Sequence, residues 1–161
     1  MDSFTLISGH EGLQLHVYKD TDGSDTIGYG FHLDTLTVSQ KVMLSTNHGG
    51  NWQNIYHTGI TSDEATSLLK DRIEEISSWL DETFPWYRKL SQTRQSVLMD
   101  MTYEMGEGSS SKGTGIFGFK HFLASMAQGD WEGAVKQMES SHWAGQVRER
   151  EQEDALLILQ G

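Results

Sequence analysis

The spacing of apolar positions changes along this chain, and each change predicts a different element. Phe4, Ile7 and the Leu6 between them suggest a short first helix, capped by Asp2 or Ser3. Glycine takes the left-handed terminal position without strain, so the helix is expected to end near Gly9 or Gly12. Glu11 then falls in its last turn or just beyond. Leu15 and Val17 alternate with His16 and Tyr18, the period of a half-buried strand. "DTDGSD" (Asp20 to Asp25) is dense in turn formers, and "TIGYG" follows with β-branched and aromatic residues, so together they read as an antiparallel hairpin. A third strand is expected around Ile55 to Thr58, and "TVSQKVMLS" reads as one short helix.

From Thr61 the period becomes helical. Thr61 and Glu64 form a T-x-x-E capping box, and Ala65, Leu68, Leu69, Ile73, Ile76 and Leu80 recur at helical spacing. This helix reaches Leu80, long enough to bridge two lobes, and Pro85 marks the break after it. Ser91 or Thr93 starts the next helix, in which "SVLMDMTYEMG" is apolar on nearly every face, the pattern of a core helix closed by Gly106. Gly106 to Gly115 is a flexible loop by composition. Three shorter helices fit the remainder: around Phe119 to Ala127, from an Asp130 cap to Met138, and from Gln146 to Leu159. No repeat emerges. The pattern predicts an α+β fold: a small N-terminal hairpin lobe, a connecting helix and a helical C-terminal lobe.

Length and charge narrow what such a fold can do. The 161 residues fit one domain, or two lobes sharing a helix, and suffice for a core without disulfide or metal staples. There is no cysteine, as suits a protein made in a reducing cytosol. No window approaches the ~20 apolar residues of a membrane span, and the N-terminus lacks the basic and apolar regions of a secretory signal. Asp and Glu number 23 against 12 Lys and Arg, a formal net charge of −11. Phosphate-backbone binding depends on clustered Lys and Arg, so nucleic acid and anionic membrane are poor partners for this chain.

Candidate chemistry concentrates in "EGLQLHVYKDTDGSDTIGYG". Glycoside hydrolysis needs a carboxylic acid to protonate the leaving oxygen and a second carboxylate across the sugar. A helix end and a hairpin turn can present Glu11 and Asp20 in that way. Glutamate against apolar surface keeps its proton, whereas aspartate in a wet turn stays ionised. Thr26, opening the returning strand, is placed to share with Asp20 the holding of a water. Other chemistries lack their motifs. The seven histidines show no H-E-x-x-H or other ligand spacing, so no metal site is expected. There is no G-x-S-x-G, cysteine nucleophile, phosphate-binding loop or dinucleotide fingerprint, and no cofactor is expected.

The same stretch resembles the signature of the T-even bacteriophage lysozymes, glycoside hydrolase family 24: E-G-L, then Y-x-D-T-x-G, then T-I-G-x-G. "GITSDEATSLL" resembles the start of that family's long inter-lobe helix, and "RQSVLMDMTYEMG" its buried central helix. "GDWEGAVKQMESSHWAGQVRER" resembles its C-terminal helices, so the similarity covers nearly the whole chain in order. The resemblance implies a single lysozyme-like domain over residues 1–161. Its lobes would be roughly 12–60 and 81–161, residues 1–11 would pack on the C-terminal lobe, and 61–80 would form the bridge. It also implies cleavage of the β-1,4 bond from N-acetylmuramic acid to N-acetylglucosamine in bacterial peptidoglycan, with inversion. Glu11 would be the general acid, Asp20 the carboxylate that activates or positions water, and Thr26 the third member. Inversion implies carboxyl groups roughly 6.5–9.5 Å apart. Arg150 matches an arginine beside the catalytic acid, and Leu33, Tyr103, Phe122 and Gln137 fall where family members line the sugar groove. Tyr103 suits groove wall or core equally, whereas Phe122, apolar where the family has a small polar residue, suits the core.

Some positions depart from the family pattern. Histidine usually follows T-I-G-x-G directly, whereas here Phe31 precedes His32. His10 replaces a common acidic neighbour of Glu11 and is expected to point away or stay neutral, since a cation there would favour the ionised acid. Glu151 follows Arg150 and is a candidate competitor for it. Two deployments fit: a soluble endolysin that another factor releases from the host cytoplasm to the wall, or a wall-puncturing domain of the virion tail held by tail or baseplate proteins. The ending "LLILQG" and the acidity favour the tail slightly. As an isolated domain a monomer is expected. A lytic transglycosylase and a non-catalytic peptidoglycan-binding or structural tail module are the alternatives, and the presence of Glu11, Asp20 and Thr26 together argues against both.

Overall fold

The computed structural model describes the backbone of residues 1–161 and every side chain except that of His142. Packing divides the chain into two compact units, one of residues 7–74 and one of residues 1–6 with 75–161. No helix among the described residues is long and apolar enough to cross a membrane.

Helix α1 (Ser3–Glu11) starts under Asp2, whose carboxylate accepts the Thr5 amide at 3.0 Å and the Thr5 hydroxyl at 2.8 Å. It ends at Gly12, which takes φ +69° and donates its N–H to Ser8 at 3.1 Å. Glu11 is thus the final helical residue, as the glycine spacing predicts.

In the 7–74 unit, strands β1 (Gln14–Lys19), β2 (Asp25–Gly28) and β3 (Phe31–His32) form one antiparallel sheet in that order. The register pairs Tyr18 with Thr26, Lys19 with Asp25, Thr26 with His32 and Ile27 with Phe31. Side chains alternate across a strand, so Tyr18, Thr26 and His32 share one face. Ile27 and Phe31 point the other way, into an apolar cluster with Leu33, Leu36, Leu44, Ile55, Ile60, Ala65 and Leu68. Leu15 departs from the expected alternation and is 37% exposed. The register shift between Gln14 and Tyr18 is the reason, since a bulge re-aims side chains on the bulged strand. Val17 still packs on the cluster.

Helix α2 (Val38–Asn47) fulfils the prediction for "TVSQKVMLS", with Thr37 and Gln40 exchanging capping-box hydrogen bonds at 3.1 and 2.9 Å. The third strand expected around Ile55 to Thr58 is instead a helical turn, α3 (Ile55–Thr58). Asn51 caps a 3₁₀ turn at Trp52–Asn54 through the Gln53 amide, and that turn runs on into α3, burying Ile55 completely. Helix α4 (Ser62–Thr83) begins with the predicted Thr61–Glu64 box, at 3.1 and 2.8 Å, and runs past Leu80 to Thr83.

In the other unit, helix α5 (Gln92–Met105) is capped by Ser91 and buries every residue from Ser96 to Thr102. The all-round apolar pattern is therefore a core helix, closed at Gly106. The Gly/Ser loop that follows is tied at its base, where Ile116 donates to Gly106 at 3.0 Å and the Ser109 amide to the Thr114 hydroxyl at 3.0 Å. Helices α6 (Lys120–Gln128) and α7 (Trp131–Glu139) match expectation, α7 with the Asp130 cap. The final predicted helix is split into α8 (His142–Gln146) and α9 (Arg148–Gln160). Val147, at φ −132° and ψ 50°, breaks helical geometry between them, and Ser141 caps α8.

Candidate active site

Glu11 stands at the end of α1, half-buried, with its carboxylate against the backbone of Gly30. A Cβ on Gly30 would lie 2.6 Å from Glu11 Oε2, and Gly30 has φ +70°, so both space and backbone call for glycine.

Asp20 opens the hairpin turn. Its Oδ1 accepts the amides of Asp22 at 2.9 Å and Ser24 at 3.3 Å, an arrangement that fixes the turn. Its Oδ2 lies 2.7 Å from His32 Nε2, with the Asp20 and His32 side chains 24% and 38% exposed. Asp22 is held down at about 2, chiefly by its hydrogen bond with Asp20 and then by Ser24. Thr26 is 1% exposed and donates its hydroxyl proton to the Ser24 carbonyl at 2.9 Å. The Thr26 oxygen keeps lone pairs and can accept from a water, but its proton is committed.

Tyr18 feels the charge of both carboxylates. Burial pushes its phenol above the ordinary range, and the negative charges of Glu11 and then Asp20 push it further. Tyr18 therefore stays protonated, a half-buried donor within electrostatic reach of both acids. Glu11, Asp20 and Thr26 are all in the 7–74 unit, and the sheet adds Tyr18 and His32 to them. Sequence reasoning passed over Tyr18 and His32 as functional residues. Strand alternation was the available signal for both: Tyr18 opposes Val17, and His32 opposes the buried Phe31. Asp20, Asp22 and His32 each bring one ligand atom within 4.8 Å of the others. The imidazole serves as the partner of the Asp20 carboxylate there.

The proposed groove residues are placed differently. Leu33 is 4% exposed and packs in the apolar cluster, while His32 holds the open face one residue earlier. Tyr103 is half-buried on α5, Phe122 is 1% exposed in the core, and Gln137 is exposed on α7. Arg150 grips Asp100 with two hydrogen bonds, Nε to Oδ2 at 2.8 Å and Nη2 to Oδ1 at 2.7 Å, and reaches Glu104 at 2.8 Å. Glu151 follows it on α9. That side chain is 4% exposed and borders a cavity with Glu139, Ala144, Gly145, Arg148 and Gln152.

The phage lysozyme family model matches residues 8–153. The chain is 30% identical over 168 residues to the pre-baseplate central spike protein Gp5 of Enterobacteria phage T4, covering all of this chain and 28% of that protein. It is 30% identical over 157 residues to the probable T4-type lysozyme 2 of Dictyostelium discoideum, and 25% over 152 residues to the probable T4-type lysozyme 1. Each of those two alignments covers 90% of this chain and 86% of the relative.

Proposed function

Because the chain belongs to the phage lysozyme family, we propose that it is a muramidase. It hydrolyses the β-1,4 bond from N-acetylmuramic acid to N-acetylglucosamine in bacterial peptidoglycan, with inversion and without a cofactor. Glu11 gives its proton to the leaving glycosidic oxygen as the bond to the anomeric carbon breaks. A water attacks that carbon from the opposite side and loses one proton to Asp20, while its other hydrogen stays on the new hydroxyl and is hydrogen-bonded to the Thr26 oxygen. The two carboxyl groups thereby exchange protonation states, and solvent resets them. The observation that carries this assignment is the contrast between the acids: Glu11 is pressed on Gly30, whereas Asp20 sits in a hydrogen-bonded turn. Such unequal surroundings separate an acid from a base. Arg150, Tyr103, Gln137, Leu33 and Phe122 complete the proposal as residues that shape the sugar groove.

Two deployments remain supported. Similarity to a spike protein over 28% of its length supports a lysozyme domain carried with tail or baseplate proteins. Similarity to the T4-type lysozymes over 86% of theirs supports a free enzyme that reaches the wall after release from the cytoplasm. Wall-degrading activity in purified virions separates them. The chemistry is tested by the turbidity of chloroform-treated cells. Glu11→Gln and Asp20→Asn should each lower the lysis rate at least ~100-fold with the fold intact, the scale of a lost general acid or base. Near-normal lysis by either would refute that residue's role.

A further inference from the structure

We propose that His32 is a positioning residue that sets the working orientation of the Asp20 carboxylate. The inference rests on the assignment of Asp20 to the attacking water and adds to it a partner for that carboxylate. A carboxylate turns about its Cβ–Cγ bond unless both oxygens are held. Two backbone amides of the hairpin turn hold Oδ1. Oδ2, the oxygen left for proton transfer, lies 2.7 Å from His32 Nε2. With one lone pair of Oδ2 directed at the imidazole, the plane of the carboxylate is fixed and the other lone pair has a set direction.

The register explains how His32 comes to be there. Thr26 and His32 are cross-strand partners, so threonine and imidazole stand side by side on one face while Phe31 fills the core opposite Ile27. Strand geometry makes this an either–or choice, since exchanging Phe31 and His32 would send the imidazole inward. Thr26 cannot supply a donor to Oδ2, because its proton is given to Ser24.

The test uses purified protein on peptidoglycan fragments of defined length. His32→Ala should lower kcat ~10- to 100-fold, the scale of a small misplacement, and leave KM within about twofold. His32→Gln, whose amide N–H can replace Nε2–H, should recover most of the loss. In an Asp20→Asn background His32→Ala should cost nothing further. A raised KM with unchanged kcat, or an equal loss in both backgrounds, overturns the proposal, because His32 would then be acting on substrate directly. A second readout is independent of turnover. The ¹⁵N resonances of the His32 ring should move in Asp20→Asn, and unmoved resonances would overturn the pairing. If Asp20→Asn itself stays active, the muramidase assignment of Asp20 fails. If it is inactive while His32→Ala matches wild type, only the positioning role fails.

Discussion

At the scale of single residues, Gly30 is the most constrained position of the candidate site. The left-handed backbone costs a side chain ~1–2 kcal/mol, and a Cβ would stand 2.6 Å from Glu11 Oε2. Gly30→Ala should therefore lower thermal stability by about that amount and also cut turnover at least ~10-fold, as the acid is displaced. Melting curves beside lysis rates check this, and wild-type turnover in a folded variant would contradict it. The end of α1 at Gly12 and the turn at Asp20 were legible from the sequence because glycine and Asx turns have their own local chemistry, whereas the roles of Glu11, Asp20 and Thr26 rest on the resemblance to the family. His32 was not read in the same way, because its strand is only two residues long and the alternation of Phe31 with His32 is a weak signal. Leu33 fell to the core for the complementary reason. Phe31 and Leu33 both turn inward, and the open position between them goes to His32.

At the scale of elements, the segments with explicit start and stop chemistry match the structure closely. The Thr61–Glu64 box, the Ser91 cap, the Asp130 cap and the closing Gly106 are all present. Glu64 does more than cap. It accepts from Asn47 at 3.1 Å and lies 3.0 Å from His48, tying α2 to the start of α4. Burial pulls its carboxyl up, but the Thr61 amide, Asn47 and His48 outweigh that and leave it below the ordinary range. Where caps were missing or long-range packing decided, sequence reasoning went astray. Ile55 to Thr58 carries β-branched residues yet follows the Asn51-capped turn into a helix, because Ile55 has to reach the core. The break at Val147 was hidden because Gln146 to Leu159 carries no proline or glycine to mark it.

At the scale of the whole molecule, stability answers to a buried acid pair. Asp100 and Asp154 are both fully buried, and Arg150 binds Asp100 directly. Burial, then the charge of Asp100, pushes the Asp154 carboxyl from 3.8 up to about 10, while Arg150 pulls the other way. The folded state therefore holds a proton that the unfolded state releases. Stability from this group is complete below about 3.8 and is lost progressively as pH rises towards 10. The melting temperature should fall from pH 5 to pH 9, and Asp154→Asn, shaped like the protonated acid, should flatten that slope. An equal slope in the variant would contradict the protonated state. In the proposed mechanism, by contrast, Glu11 is the proton donor and Asp20 the base. The most direct test of that division is the product of wild-type digestion, examined by NMR as it forms and by mass spectrometry. The account predicts hydrolysed N-acetylmuramic acid ends released first as the α-anomer. A 1,6-anhydro sugar, or initial release of the β-anomer, would contradict it.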